Sequence, residues 1–307
     1  MRLPLQARPV RRILQCLALS TAIGMAFGAT SMQAQPAAVL KIQILDARGT
    51  EIAASTKTDF RRKQVRLNFV HSYRPGDRIV ATGPAQIAVQ IDSGLRECSL
   101  YRESAGVWSF MIPFGHSQKE AGGVYDPGVF QGEAHNVSAR VLTRRELRHY
   151  RNLALNPCDQ EEQQTLIAYP HATANSVYRA MPVFAPRNAI DGVAAGGHHG
   201  GWPYQSWGPD KVGGLWWRLD FGRTVELDKL RIALRSDFPH DSYWKEATLE
   251  FSDGVQQRVS LGKTAALQEI RFPSHRTAWI RLSHLVPAEE PGWCALTEVE
   301  AWGKDLR

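Results

Sequence analysis

The chain has 307 residues, with 37 Lys and Arg against 30 Asp and Glu and a formal charge of +7. Four of those arginines and none of the acids fall within residues 1–34, so the remainder carries only +3, and no Lys/Arg block interleaved with aromatics follows. This balance argues against a nucleic-acid partner, and past residue 34 no apolar run is long enough to span a membrane.

Arg2, Arg8, Arg11 and Arg12 precede the first acid, Asp46, and an apolar run extends from Ile13 to about Ala29. Small residues at Ala29-Thr30-Ser31 or Met32-Gln33-Ala34 then offer a cleavage site. This order predicts a secretory signal peptide over 1–34 and a periplasmic or secreted mature protein, with no transmembrane anchor after cleavage. A membrane anchor is the alternative, for which the run falls short of the roughly 20 strongly apolar residues required. Arg11-Arg12 suggests twin-arginine export, although Val10 and Leu14-Gln15 fit that signal poorly.

Residues 38–142 read as a β-sandwich domain. Leu40–Leu45, Val65–Val70 and Ile87–Asp92 alternate apolar and polar residues, and Val107–Phe114 and Val137–Val141 continue the pattern. Period-two alternation between turn residues marks half-buried antiparallel strands, and several in succession mark a sandwich. The stretch from Gly115 to His135, with Gly122-Gly123 and Asp126-Pro127-Gly128, reads as one long loop.

Residues 143–168 read as a connector. Thr143-Arg144-Arg145-Glu146 opens as a capping box, and Leu147, Tyr150, Leu153 and Leu155 follow at roughly helical spacing until Asn156-Pro157 stops them. Asp159 to Gln164 reads as exposed linker. Residues 169–307 then hold eight of the nine tryptophans, all but Trp108. Strand-like runs recur at Leu215–Phe221, Lys229–Leu234, Ala247–Phe251, Gln256–Leu261, Glu269–Phe272, Ala278–Leu282 and Thr297–Trp302. Asp253-Gly254 between two of them is a hairpin signal. The chain is expected to be all-β, two sandwich domains joined by a short helix. Of the three cysteines past residue 34, Cys158 and Cys294 lie in Asn/Pro/Gly-rich loops and are the expected disulfide in an oxidising compartment, three thiols being the alternative.

Five landmarks stand in order in this second half: Asn188-Ala189-Ile190-Asp191-Gly192, Ser206-Trp207, Trp216-Trp217-Arg218-Leu219-Asp220-Phe221-Gly222, Phe251-Ser252-Asp253-Gly254 and Leu296-Thr297-Glu298-Val299-Glu300-Ala301-Trp302-Gly303. In them the chain resembles the discoidin-like family, the coagulation-factor C-type domains, and their galactose-binding-like bacterial carbohydrate-binding relatives. The resemblance implies a jelly-roll sandwich with ligand loops clustered at one end. It also implies a structural calcium held by Asp191, backbone carbonyls beside it and Glu298. The following Val193-Ala194-Ala195-Gly196-Gly197 lacks the further Asp and Thr/Ser that usually complete that site, so Asp191 capping the turn is the alternative.

Three loops carry the residues that sugar recognition needs, flat aromatic faces for the pyranose ring and charged groups for its hydroxyls. The first, Gly192 to Trp207, holds His198, His199, Trp202, Tyr204 and Trp207; the second, Arg235 to Trp244, holds Asp237, His240, Asp241 and Tyr243; the third, Val286 to Cys294, holds Glu289, Glu290 and Trp293. Arg235, Asp237, His240 and Asp241 are expected to meet hydroxyls, with Tyr204 beside them and Trp202, Trp244 and Trp293 as stacking platforms. An aromatic in a polar loop serves equally well as a packing anchor. Trp217 shares a strand face with Leu215, Leu219 and Phe221 and reads as core, as do Trp279 and Trp302 within their strands. His198-His199 suggests zinc, but neighbours in an extended segment point apart and no third ligand accompanies them.

The expected function is an exported, non-catalytic glycan-binding protein. The alternatives are a polysaccharide-active hydrolase or lyase and a protein-binding envelope adhesion module. An enzyme would draw on Asp237, His240 and Asp241 with Arg235 holding an anionic substrate, or on His116, Tyr125, Asp126 and His135. Standard hydrolytic and phosphate-binding motifs are absent from the sequence.

Overall fold

A computed structural model describes residues 39–57, 64–114, 123–160, 168–210, 212–236, 242–289 and 292–306. Residues 1–34, expected to be a signal peptide, His116 and the loop residues Asp237, His240, Asp241 and Glu290 lie outside them. No helix among the described residues is long and apolar enough to cross a membrane.

The first half is a β-sandwich of two four-stranded antiparallel sheets. One sheet has the order β2 (Glu51–Lys57), β1 (Leu40–Leu45), β4 (Arg78–Gly83), β7 (Gly106–Met111). The other has β3 (Gln64–Val70), β8 (Ala134–Val141), β5 (Gln86–Gln90), β6 (Cys98–Tyr101). Alternation does the sorting: Leu40, Ile42 and Ile44 of β1 point inward while Lys41 and Gln43 reach Glu51 on the outside. Each fully buried Ile or Leu contributes about 1.5–3 kcal/mol. The segment expected to be a single loop before β8 is partly core, because Val124, Tyr125, Val129 and Phe130 pack beneath Phe110.

The connector departs from its expected form. The capping box is present, with Glu146 N–H donating to Thr143 Oγ1 at 3.2 Å and Thr143 N–H donating to Glu146 at 2.8 Å. The helix α1 nevertheless ends after Arg144–Arg148, and Arg151–Asn152 forms a short strand, β9, against the last strand of the chain. Tertiary partners override the helical spacing here: Arg151 pairs with Asp305 at 2.7 Å, and Asn152 Oδ1 accepts from Ala301 N–H. Asp159, expected in an exposed linker, is 4% exposed and accepts from Ala172 N–H and His171. The disulfide joins Cys98 of β6 to Cys158, with Cα atoms 6.1 Å apart, and not Cys158 to Cys294. Cys294 lies with the aromatic core of the other sandwich, while Cys158 turns into the first.

The second half is a jelly-roll sandwich built from one strongly curled sheet in the order β13 (Gln256–Ser260), β12 (Trp244–Phe251), β14 (Gln268–Pro287), β11 (Trp217–Leu234), β15 (Leu296–Asp305), β9, with β10 (His171–Ala174) on β11. The runs read as Leu215–Phe221 and Lys229–Leu234 are one strand, and so are Glu269–Phe272 and Ala278–Leu282. Register slips between Asp220 and Val225 and between Leu227 and Lys229 break the alternation that a single strand would show in sequence. Gly222 lies at the first slip with φ +66°, where a Cβ would collide with the Tyr169 ring. Asp253-Gly254 turns β12 into β13 as expected, with Gly254 at φ +87°.

Trp207, Trp217, Phe221 and Phe251 are at the centre of this second core. Trp217 is fully buried and its indole donates to Pro186 O at 3.1 Å. Trp279 and Trp302 are half-buried instead: Arg218 lies over Trp279 at 4.3 Å, and Lys229 over Trp302 at 4.8 Å. The sandwiches meet where Val183 and Phe184 enter the first core and Arg187 lies 4.9 Å over the Tyr125 ring.

Candidate functional site

Two constellations stand at the loops of the second sandwich. The first forms where β11 ends. The chain leaves Leu234 into Arg235, whose N–H donates to Ala295 O at 3.1 Å and whose guanidinium donates to Trp293 O at 3.1 Å. Burial of Arg235 to 7% exposure fixes a charged fork beside the loop that precedes β15. Trp293 on that loop is 41% exposed, and its ring stands edge-on to Tyr178 at 5.0 Å and 84°. Tyr178 is braced in turn by Phe184 at 5.6 Å. Together with His199 and Pro209 these groups line a cavity of about 310 Å³. Its walls offer an aromatic face, a guanidinium and an imidazole, which suit a polyhydroxylated ring better than a fully apolar ligand.

The second constellation is a pair of buried carboxylates. The 3-10 turn Pro186–Ile190 ends at Asp191, and Gly192 follows at φ +86°, where a Cβ would meet Leu155. Asp191 accepts from Val193 N–H at 2.9 Å and Gln205 Nε2 at 2.8 Å. Glu298, from β15, accepts from Gly192 N–H at 3.2 Å. Their residual exposures are 7% and 2%. Burial raises Asp191 to about 6, against the pull of Arg187. Burial, then the neighbouring Asp191 charge, pushes Glu298 well above the usual carboxylate range. Gln205 Oε1 and Ser206 Oγ are buried nearby in sequence without a hydrogen-bond partner among the described residues.

The expected ligand residues divide between places. Arg235 and Trp293 come together. Trp202 does not join them: its N–H donates to Gly123 O, and it lines a cavity of about 200 Å³ with Asp191, Arg187 and Tyr125 at the junction with the first sandwich. Tyr204 packs against His198 at 5.3 Å. Trp244 is 3% exposed and lies on Trp207 at 5.5 Å, so it does not stand out beside Trp293 as an open platform. Alternation from Ala247, Leu249 and Phe251 would turn residue 244 outward, and the register slips between Trp244 and Thr248 turn it inward instead. Of the first-half constellation, Tyr125 and His135 are buried packing groups: His135 is bonded to His71 O and Tyr125 stands edge-on to Phe130. Sequence reasoning missed Tyr178 and Phe184, which sit in short 3-10 turns without any periodic signal.

Residues 171–299 match the family model of the F5/8 type C domain. The second half is therefore a discoidin-like domain, as its landmarks imply. Among solved structures, chitosan-binding module 1 of a Paenibacillus sp. IK-5 chitosanase/glucanase is 19% identical, with a TM-score of 0.34 over 50% of this chain and 98% of that one. A Streptococcus pneumoniae fucose-binding module is 21% identical, with a TM-score of 0.35 over 50% and 98%. The family 32 carbohydrate-binding module of C. perfringens NanJ, solved with galactose, is 13% identical, with a TM-score of 0.34 over 43% and 91%. No curated protein matches the chain.

Proposed function

We propose that this is an exported glycan-binding protein that holds a sugar without turning it over, in the cavity formed by Arg235, Trp293, Tyr178 and His199. The observation that carries the reading is the pairing of an exposed indole with a buried guanidinium on adjoining loops. The fold gains nothing by exposing Trp293 in a concave site, whereas a pyranose gains an apolar platform. Arg235 is already held by the Trp293 carbonyl and Ala295, so its fork loses little entropy on meeting vicinal hydroxyls. Trp293→Ala is the direct test, because an exposed side chain can be removed without opening the core. Calorimetric titration with a panel of mono- and disaccharides should find a ligand whose affinity drops at least about tenfold in the variant, on the order of 1.4 kcal/mol. Unchanged affinity for every sugar that binds the parent would overturn the assignment.

The same reading includes a structural calcium at Asp191 and Glu298. Two carboxylates buried together and both pushed towards the protonated form are what a divalent cation would relieve. No cluster of three His, Cys, Asp or Glu side chains forms among the described residues. The remaining oxygens would come from backbone carbonyls and from Gln205 Oε1. Bound there, the cation would neutralise the pair and fix the Asp191-Gly192 turn to β15.

A further inference from the structure

A second, larger cavity of about 680 Å³ opens on the outer face of the sheet. Leu249 of β12 and Leu282 of β14 pair on the core side, whereas Glu250, Arg281 and Ser283 turn outward. Glu250 is 5% exposed and fully committed: it accepts from Arg281 Nε at 3.1 Å, from Arg281 Nη2, and from Ser283 Oγ. The pairing leaves the carboxylate as an anchor and the 37% exposed Arg281 side chain as the face presented to the cavity.

His284 extends this group. Its Nδ1 lies 3.1 Å from Ser283 Oγ, which already donates to Glu250, so the imidazole donates to Ser283 and keeps Nε2 for another partner. The residue sits at φ +45°, in a bulge where Thr248 to Glu246 of β12 faces Ser283 to Val286 of β14. A left-handed histidine on an exposed bulge is a costly placement, and bulges re-aim side chains beside binding sites. Trp216, half-buried, forms the aromatic wall, and the exposed Gly213-Gly214 turn borders it.

We propose that this cavity is a second saccharide subsite, taking further residues of the same glycan chain whose end is held at Trp293. The proposal rests on the reading of the Arg235 pocket as a sugar site. The Glu250 carboxylate and Arg281 guanidinium neutralise each other and Asp210 adds a further acceptor, which disfavours an anionic ligand and leaves hydrogen-bonding groups beside an indole, the chemistry that suits a neutral sugar. The two cavities share Pro209 and Cys294 in their walls and are therefore neighbours, close enough for one oligosaccharide to reach both. Several hundred Å³ exceeds what one ring fills and lies in the range of built ligand sites.

Chain length separates the possibilities. Cello-, galacto- and chito-oligosaccharides of one to six residues would be titrated into the mature protein, with the Trp216 indole N–H followed by NMR. In the series that binds, affinity should rise about tenfold beyond the first one or two residues. Trp216→Ala should abolish that rise and leave monosaccharide affinity within about twofold. His284→Asn, which tolerates the left-handed backbone, is the second variant should Trp216→Ala fold poorly, and it should remove part of the same rise. Affinity independent of length, with a silent Trp216 signal, overturns the second subsite while leaving the Trp293 pocket standing. A failure of every sugar to bind overturns both.

Discussion

The two sandwiches use buried polar groups differently. In the first, such groups mainly finish the backbone: Asp77 accepts from Arg74 N–H and His71, Arg102 donates to the carbonyls of Gly83 and Pro84, and His135 bonds to His71 O. In the second, several also meet other side chains across the sequence, as Asp191 with Gln205, Glu250 with Arg281 and Ser283, and Asp305 with Arg151 and Arg223. A buried group that closes a turn accounts for its own cost. Two carboxylates buried side by side do not, and neither does an indole held out beside a buried guanidinium. On the proposed reading, binding belongs to the second half and the first half would serve as scaffold.

The largest effect that would sharpen this contrast comes from the aromatic core. Trp217→Ala removes a fully buried indole and its bond to Pro186 O, and should lower stability by about 3–5 kcal/mol in chemical denaturation. A loss below about 1 kcal/mol would mean that the core collapses around the gap, and that this indole does not hold the loops in place.

The disulfide tests the scaffold side. Cys98 and Cys158 are 60 residues apart, and replacing both with Ser should cost about 2–4 kcal/mol, read as a lower denaturation midpoint. Glycan affinity at a temperature where both proteins are folded should stay within about twofold, a change under about 0.4 kcal/mol. A larger loss would break the contrast by showing that the first sandwich shapes the binding loops through Val183 and Phe184.

Alternation made β1 and β3 readable almost to the residue, because one face of each meets core and the other is more open, while β5 was readable although Ile87, Ala88 and Val89 are all buried. It failed for β2, which carries Ala53, Ala54 and Ser55 in place of large apolar residues, and for β11 and β14, whose slips reset the period midway. The helical spacing after Thr143 misled because Arg151 and Asn152 gain more from β15 than from another helical turn. At the site, Arg235 and Trp293 were legible as charge and aromatic in family loops. Trp244 looked alike but starts a strand, and only the tertiary structure shows it stacked on Trp207 and 3% exposed. The Cys98–Cys158 pair was beyond loop composition, since Cys98 is in a strand and its partner is brought to it by the docking of the connector.

The smallest effect, about 2–3 kcal/mol for an ion present near a hundred times its dissociation constant, concerns Asp191 and Glu298. Without a cation, folded Asp191 keeps its proton up to about pH 6 and Glu298 keeps its proton further, while an unfolded chain releases both in the ordinary carboxylate range. The native state then binds more protons, so chelated protein is most stable below that range and loses stability as pH rises through the folded values. Calcium takes over the role of the protons and removes this slope. Melting temperatures with calcium and with chelator should therefore converge near pH 5 and separate by pH 8, with the chelated sample lower. Glu298→Gln leaves one carboxylate and should flatten the chelated profile while weakening the calcium response. Curves that coincide at pH 8 would mean that the pair binds no calcium and that Asp191 serves the turn alone, as Asp77 does in the first sandwich.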